Sequence, residues 1–172
     1  MTAMARDEEK PWKTNLARKA ALRREQVLHE LEEAIKKAPA FEDALRLAVE
    51  TLKKKFVRFT AVSAYVADGE SLAIHTALDR PEGPERVPSD DGPLAKAAQS
   101  ARPTVVANLA GDEAWAGVGL KAGSAMVSPV RTEAGLWAIV EIWSDFRDAF
   151  PSADVDLVDK VTKALARKTP AT

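Results

Sequence analysis

GLWAIVEIWSD, residues 135–145, is the stretch that decides the fold. It is apolar along almost its whole length, which predicts a buried strand, and the side chains of a strand alternate between its two faces. One predicted face is wholly apolar and holds Leu136, Ala138, Val140 and Ile142. The other face holds Trp137, Ile139, Glu141 and Trp143. Glu141 is therefore a carboxylate on a buried aromatic face, where it is costly unless a cation, a hydrogen-bond donor or water pairs with it.

Further strands precede this one in the chain. Residues 124–132, SAMVSPVRT, form its hairpin partner, with the turn at residues 133–135. Residues 58–79 form an earlier hairpin that turns at Asp68-Gly69, and PTVVANL, residues 103–109, is a single strand. Clustered hairpins favour an antiparallel sheet and an α+β architecture, in which terminal helices pack on one face of the sheet.

Three longer helices are predicted from apolar spacing, over residues 14–38, 41–56 and 152–167. The first has a narrow, alanine-rich seam, and isolated helices gain little from propensity alone. We therefore expect it to pack against its copy in a homodimer, through Val27, Leu28, Leu31 and Ile35. Removal of residues 1–38 is then expected to leave the sheet folded. The predicted organisation is a mobile tail (1–13), a dimerisation helix (14–38), one domain (39–168) and a short tail (169–172).

The composition excludes several classes of function. The chain has 172 residues with 25 basic and 26 acidic side chains, and its net charge of -1 argues against a nucleic-acid partner. It has no cysteine, so disulfides, thiolate metal sites and cysteine nucleophiles are excluded, and its two histidines disfavour a metal site. No apolar run is long enough to span a bilayer. We expect a cytoplasmic protein with no metal, cofactor or membrane partner.

Three ordered segments carry a family resemblance: VPSDDGPLAKAAQSARPTVVANLAGD (87–112), SAMVSPVRTEAGLWAIVEIWSD (124–145) and AFPSADVDLVDKVTKALA (149–166). Together they make the stretch from Phe41 to Arg167 resemble a GAF domain, a small-ligand sensor fold related to PAS. The resemblance implies a GAF-like antiparallel sheet with its terminal helices on one face and a loop-covered pocket on the other.

Among GAF proteins, the chain is similar to free methionine-(R)-sulfoxide reductases. By this resemblance, Glu141 and Trp143 occupy the two acidic positions of the reductase strand, and Ala125 occupies a third. The two cysteine positions fall on Leu94 and about Val118. The reductase reaction needs a thiolate that attacks the sulfoxide and is resolved through disulfides, so a chain without cysteine is not expected to catalyse it.

The mixed face of the 135–145 strand would look into the pocket that the GAF resemblance implies. There, a ligand ammonium or amide between aromatic walls would pair with Glu141. The predicted ligand-binding residues are Glu141, Trp143, Trp137, Tyr65, Trp115, Met126 and Ser128. Met126 and Ser128 belong to this set only if their face of the 124–131 strand looks into the pocket. Pro129 leaves that face undetermined, because proline is compatible with a bulge or an edge strand.

A purely structural role for Glu141 is the alternative interpretation. Its carboxylate would then pair with Lys121 or Arg131, or reach solvent at a shallow face. Trp115, in the covering loop, is either a lid over the pocket or a plug of the core.

These features predict a non-enzymatic GAF-type sensor or signalling module that binds a small molecule or a protein partner and forms a homodimer. The alternatives are a structural dimerisation domain whose pocket is filled by its own side chains, and a degenerate methionine sulfoxide reductase.

Overall fold

The computed structural model describes residues 10–80, 84–115 and 122–170. Its elements in chain order are α1 (Pro11–Lys37), α2 (Phe41–Lys55), β1 (Ala61–Asp68), β2 (Ser71–Leu78), β3 (Arg86–Pro88), α3 (Pro93–Ala98), β4 (Thr104–Val106), β5 (Ser124–Thr132), β6 (Gly135–Ser144) and α4 (Ser152–Ala166). Two single 3-10 turns, Leu109–Gly111 and Glu113–Trp115, lie between β4 and β5.

The strands form one antiparallel sheet in the order β3-β2-β1-β6-β5-β4. Two hairpins, β1–β2 and β5–β6, meet side by side through β1 and β6. Their turns hold Gly69 and Gly135 at positive φ, 60° and 121°, which glycine adopts without a steric cost. The edge strand β3 lies inside a segment without a strand pattern in its sequence, and it is only three residues long.

One face of the sheet carries the larger buried cluster. α2 and α4 pack against β1, β2 and β5 on this face, and α1 packs against α2 and α4. The apolar side chains of β6 that face these helices are Ala138, Val140 and Ile142. The α+β fold, with an antiparallel sheet and helices on one face, is thereby confirmed. No helix of the described residues is long and apolar enough to cross a bilayer.

Helix α1 departs from the prediction in where it begins and in how its C-terminal half packs. It begins at Pro11 rather than Thr14, because proline is well suited to the first turn of a helix. Residues 11–13 of the predicted 1–13 tail are therefore helical, and residues 1–9 lie outside the described residues. The C-terminal half of the helix packs on its own domain, where Val27, Leu31 and Ile35 are 3%, 1% and 2% exposed.

The predicted interface through these three residues is therefore wrong, because their side chains are already buried within one chain. Leu28 is partly buried against the same cluster. The surplus apolar surface of α1 lies instead in its N-terminal half, where Trp12, Leu16 and Leu22 are 56%, 58% and 58% exposed.

Candidate functional site

The second buried cluster lies on the opposite face of the sheet. It joins the inward side chains of β1, β5 and β6 to α3, β4 and the 3-10 turns that follow it. Its aromatic members are Tyr65, Trp115 and Trp143. In the register of the central pair, Ser63 of β1 is the partner of Glu141 and Ala61 is the partner of Trp143. The two hairpins therefore each supply part of this face.

Glu141 is the buried acid of this face. It is only 2% exposed, and its Oε2 atom has no hydrogen-bond partner among the described residues. The structure places no salt bridge on it within the described ranges, and Arg131 donates instead to the carbonyl of Ala98. The predicted pairing of Glu141 with Arg131 and its predicted exposure to solvent are therefore both wrong. Lys121, the other predicted partner, lies outside the described residues.

The protonation of Glu141 reflects this environment. Burial raises the pKa of its carboxyl from the ordinary value of 4.5 to about 7. The positive charge of Arg80 and the indole N–H of Trp143 act in the opposite direction and lower this pKa. The Trp143 group does so without a well-formed hydrogen bond, because its Nε1 atom is buried and has no partner of acceptable geometry in the described part of the chain. Near neutral pH, Glu141 is close to the midpoint of its titration.

Arg80 brings a cation to the same site. Its guanidinium carbon lies 5.6 Å from the centroid of the Tyr65 ring, within cation–π range. Its Nη2 atom donates to the carbonyl of Pro84 at 3.1 Å, and its Nε atom is buried without a partner among the residues the structure describes. Burial raises the pKa of the Tyr65 hydroxyl to about 12, with a further contribution from the charge of Glu141. Tyr65 therefore stays neutral at any physiological pH.

Sequence reasoning missed Arg80. It follows Asp79, whose φ of 57° is uncommon for a residue other than glycine, at the end of β2. The only signal was its place in a loop rich in proline, glycine and charge, where no periodicity assigns a side chain to one face of the sheet.

Trp115 and Trp143 are both buried in the second cluster, at 5% and 6% exposed. The structure thus places Trp115 within the packed layer over the sheet, as expected for a plug of the core. Residues 116–121, which follow it directly, lie outside the described residues. This layer contains the predicted site residues Glu141, Trp143, Tyr65 and Trp115.

Trp137 lies on the other face, so its predicted position is wrong. Val130 pairs with Ala138 but Arg131 pairs with Leu136, which leaves Trp137 as an extra residue in β6. Such a bulge reverses the alternation of side chains beyond it. Trp137 consequently packs with the helix-side cluster, and its ring is 6.1 Å from that of Phe41 in an edge-to-face arrangement.

Met126 and Ser128 also face the helices rather than the second cluster. Met126 is fully buried in the helix-side cluster. The hydroxyl of Ser128 lies 2.8 Å from that of Thr162 in α4. The face of β5 that adjoins Glu141 carries Ala125 and Val127 instead. Pro129 introduces no change of register into this strand, and the one irregularity falls between Val130 and Arg131.

Known structures share this architecture. Free methionine-R-sulfoxide reductase from Neisseria meningitidis, solved in complex with its substrate, matches with a TM-score of 0.77 at 18% identity, covering 87% of this chain and 89% of that one. A Burkholderia vietnamiensis protein described as a GAF sensor matches with a TM-score of 0.78 at 15% identity, covering 87% and 94%.

A third match is the GAF domain of a phosphoenolpyruvate-protein phosphotransferase from Coxiella burnetii, with a TM-score of 0.74 at 16% identity, covering 86% of this chain and 93% of that one. At these identities the structural matches establish the fold alone. No curated protein matches the chain by sequence. The sequence model of the GAF domain family, however, matches residues 38–167, which is most of the chain, and the protein therefore belongs to the GAF domain family.

Proposed function

We propose that this protein is a non-enzymatic GAF sensor module that binds a small molecule over Glu141, through a ligand amine or amide. The observation that carries the proposal is a set of three buried polar atoms without partners among the described residues: Glu141 Oε2, Trp143 Nε1 and Arg80 Nε. A buried polar group without a hydrogen bond costs about 1–3 kcal/mol, and more if it is charged. A bound molecule that supplies both a donor and an acceptor would remove these costs together.

The chemistry of the site indicates what such a ligand contains. Glu141 accepts hydrogen bonds when ionised, so it favours an ammonium or amide N–H. Trp143 Nε1 and Arg80 Nε are donors, and they favour an oxygen on the same molecule. The rings of Tyr65 and Trp143 belong to the apolar cluster around them, which suits the apolar part of a small molecule.

The absence of enzymatic activity is part of the same proposal. The positions that the reductase resemblance assigns to a cysteine and to an acid are Leu94 and Ala125, and both belong to the apolar cluster at this site. With no cysteine in the sequence, these positions offer neither a thiolate nor a resolving thiol.

Replacement of Glu141 by glutamine tests the binding role. The amide keeps the shape of the side chain but removes the negative charge, so a ligand amine should bind at least tenfold more weakly. Native mass spectrometry of the purified protein would show a co-purifying small molecule on the wild type and not on Glu141→Gln. Glu133→Gln, at the exposed β5–β6 turn, is the matched control and should retain the ligand. Equal occupancy of wild type and Glu141→Gln would refute the role of Glu141.

A structural domain with a self-filled pocket is the second candidate, and the burial of Trp115 and Trp143 favours it. In that case no small molecule co-purifies with the wild type. Small primary amines and amides, added at millimolar concentration, would then leave its melting temperature unchanged.

We also propose that the protein forms a homodimer through α1. The support is the exposure of two large apolar side chains, Trp12 and Leu16, on the N-terminal half of α1. Multi-angle light scattering at micromolar concentration should give twice the chain mass of 18.6 kDa. A monomer mass under these conditions would contradict the dimer.

A further inference from the structure

We infer that Trp12 and Leu16 of one chain dock into the groove between α1 and α2 of a second copy, with the two α1 helices antiparallel. The inference rests on the dimer proposed above, and it identifies the surface that receives the exposed half of the helix. This surface differs from the one predicted from the sequence, whose residues are buried within the chain.

The groove is a depression of about 330 Å³ on the outer surface of the helical layer. Its walls include Glu30, Leu31 and Ala34 from α1, and Glu50 and Thr51 from α2. Lys54 and Lys55 close one end, where Lys55 lies 3.9 Å from Glu30. Leu31 and Ala34 therefore give the groove an apolar patch, bordered by two carboxylates and two lysines, which suits an apolar side chain.

The spacing along α1 matches the groove to Trp12 and Leu16, which we call the anchors. Trp12 and Leu16 are four residues apart, as are Glu30 and Ala34. At about 100° per residue, Leu16 and Glu30 lie within about 40° of each other around the helix axis, and so do Trp12 and Ala34. A two-fold axis near Arg23 then places Trp12 opposite Ala34 and Leu16 opposite Glu30.

The same axis produces the contact twice. The anchor pair and the groove are centred about 27 Å apart along the helix, at 1.5 Å per residue. A two-fold axis midway between them inserts the anchors of each chain into the groove of the other, as a closed dimer requires. By the same arithmetic Arg23 lies on this face and meets its own copy at the axis, where its Nη2 atom donates to the carbonyl of Lys55 of its own chain at 2.7 Å and holds the guanidinium against its own domain.

Charge decides between antiparallel and parallel packing. Residues 10–24 contain six basic side chains and no acidic one. The basic residues are Lys10, Lys13, Arg18, Lys19, Arg23 and Arg24. Residues 25–37 contain four acids and only two lysines. Parallel helices would place the two basic segments side by side, and like charges across an interface disfavour association. Antiparallel helices place each basic segment against the acidic half of the partner.

Complementation between two variants tests this arrangement. The first variant, Trp12→Ala/Leu16→Ala, lacks the anchors but keeps the groove. The second, Ala34→Arg, fills the groove with a bulky cation but keeps the anchors. Each alone should dimerise at least tenfold more weakly than wild type in sedimentation velocity. Their mixture should form a heterodimer, visible by native mass spectrometry, because one anchor–groove contact is intact in the mixed pair.

Leu22→Ala is the matched control. Leu22 is as exposed as Leu16 but lies about 120° away around the helix, so its loss should leave the dimer unchanged. If the wild type is a dimer and the mixture gives no heterodimer, the groove assignment is overturned while the dimer stands. If the wild type is a monomer, both proposals are overturned. Circular dichroism of each variant checks that the fold is kept.

Discussion

Removing residues 1–38 is expected to leave a chain that does not fold cooperatively, rather than a folded monomer. The deletion takes away Val27, Leu31 and Ile35, each almost fully buried in the helix-side cluster. Burial of such a side chain contributes about 1.5–3 kcal/mol, so the three together contribute about 5–9 kcal/mol. A domain of this size is stable by only about 5–15 kcal/mol in total.

A second loss adds to the first. Arg24 donates to Asp154 at 2.7 Å, and Asp154 is only 6% exposed at the start of α4. Deleting α1 removes the cation beside Asp154 and also exposes this carboxylate to water, so no buried unpaired charge is left behind. Because Arg24 is itself partly exposed, loss of the pair costs about 1 kcal/mol or less.

The control is a shorter deletion that ends at residue 22. It removes Trp12, Leu16 and Leu22 but keeps Arg24 and every buried side chain of α1. This variant should be a monomer and should unfold cooperatively in urea, at a midpoint near that of the wild type when both are measured at a concentration low enough to dissociate the wild-type dimer. A cooperative transition of the 1–38 deletion at the wild-type midpoint would show that the C-terminal half of α1 contributes little to the fold.

The stability of the protein is expected to fall as the pH rises from 4.5 to 7, and the titration of Glu141 accounts for the fall. The folded protein holds the proton of Glu141 more tightly than the unfolded chain, because burial raises its pKa to about 7. Its favourable contribution is therefore complete below pH 4.5 and is lost as the pH rises through 7. The free energy of unfolding should drop by about 3 kcal/mol over this interval.

Glu141→Gln should remove this pH dependence and be more stable than the wild type above pH 7, since the amide is never charged. Urea unfolding at pH 5, 6, 7 and 8 measures the effect, with Glu133→Gln as the control that keeps the wild-type slope. His75 acts in the opposite direction because burial lowers its pKa, and comparison with the control cancels its contribution. If Glu141→Gln is instead destabilised by several kcal/mol at every pH, Glu141 has a permanent cationic partner.

Period-two alternation predicted the faces of β6 correctly from Ala138 to Trp143, and it brought Glu141 to the site. It failed at Leu136 and Trp137, because a bulge adds a residue that the sequence does not mark. For β5, alternation defines two faces but does not say which one meets the helices, and Met126 fits either. Pairing with the helix-side residues of β6 decides the question.

The prediction for α1 failed for a different reason. Periodicity identified its buried stripe but not the surface that buries it. Two helices cover the sheet, and a third is needed to cover those two, a requirement that appears only once the sheet is assembled. Arg80 was missed because loop residues carry no period that fixes where their side chains lie.

The central position of the β1–β6 pair has a consequence for synthesis on the ribosome. β1 is the first of these strands to be synthesised and β6 is the last, yet they are neighbours in the sheet. The pairing of Ser63 with Glu141 therefore cannot form until β6 has been made. At about 5–20 residues per second, several seconds separate the emergence of the two strands. Until then the β1–β2 hairpin has an unpaired edge and an uncovered apolar face. This partly synthesised domain lacks the Glu141 site, and chaperones can bind its exposed surface.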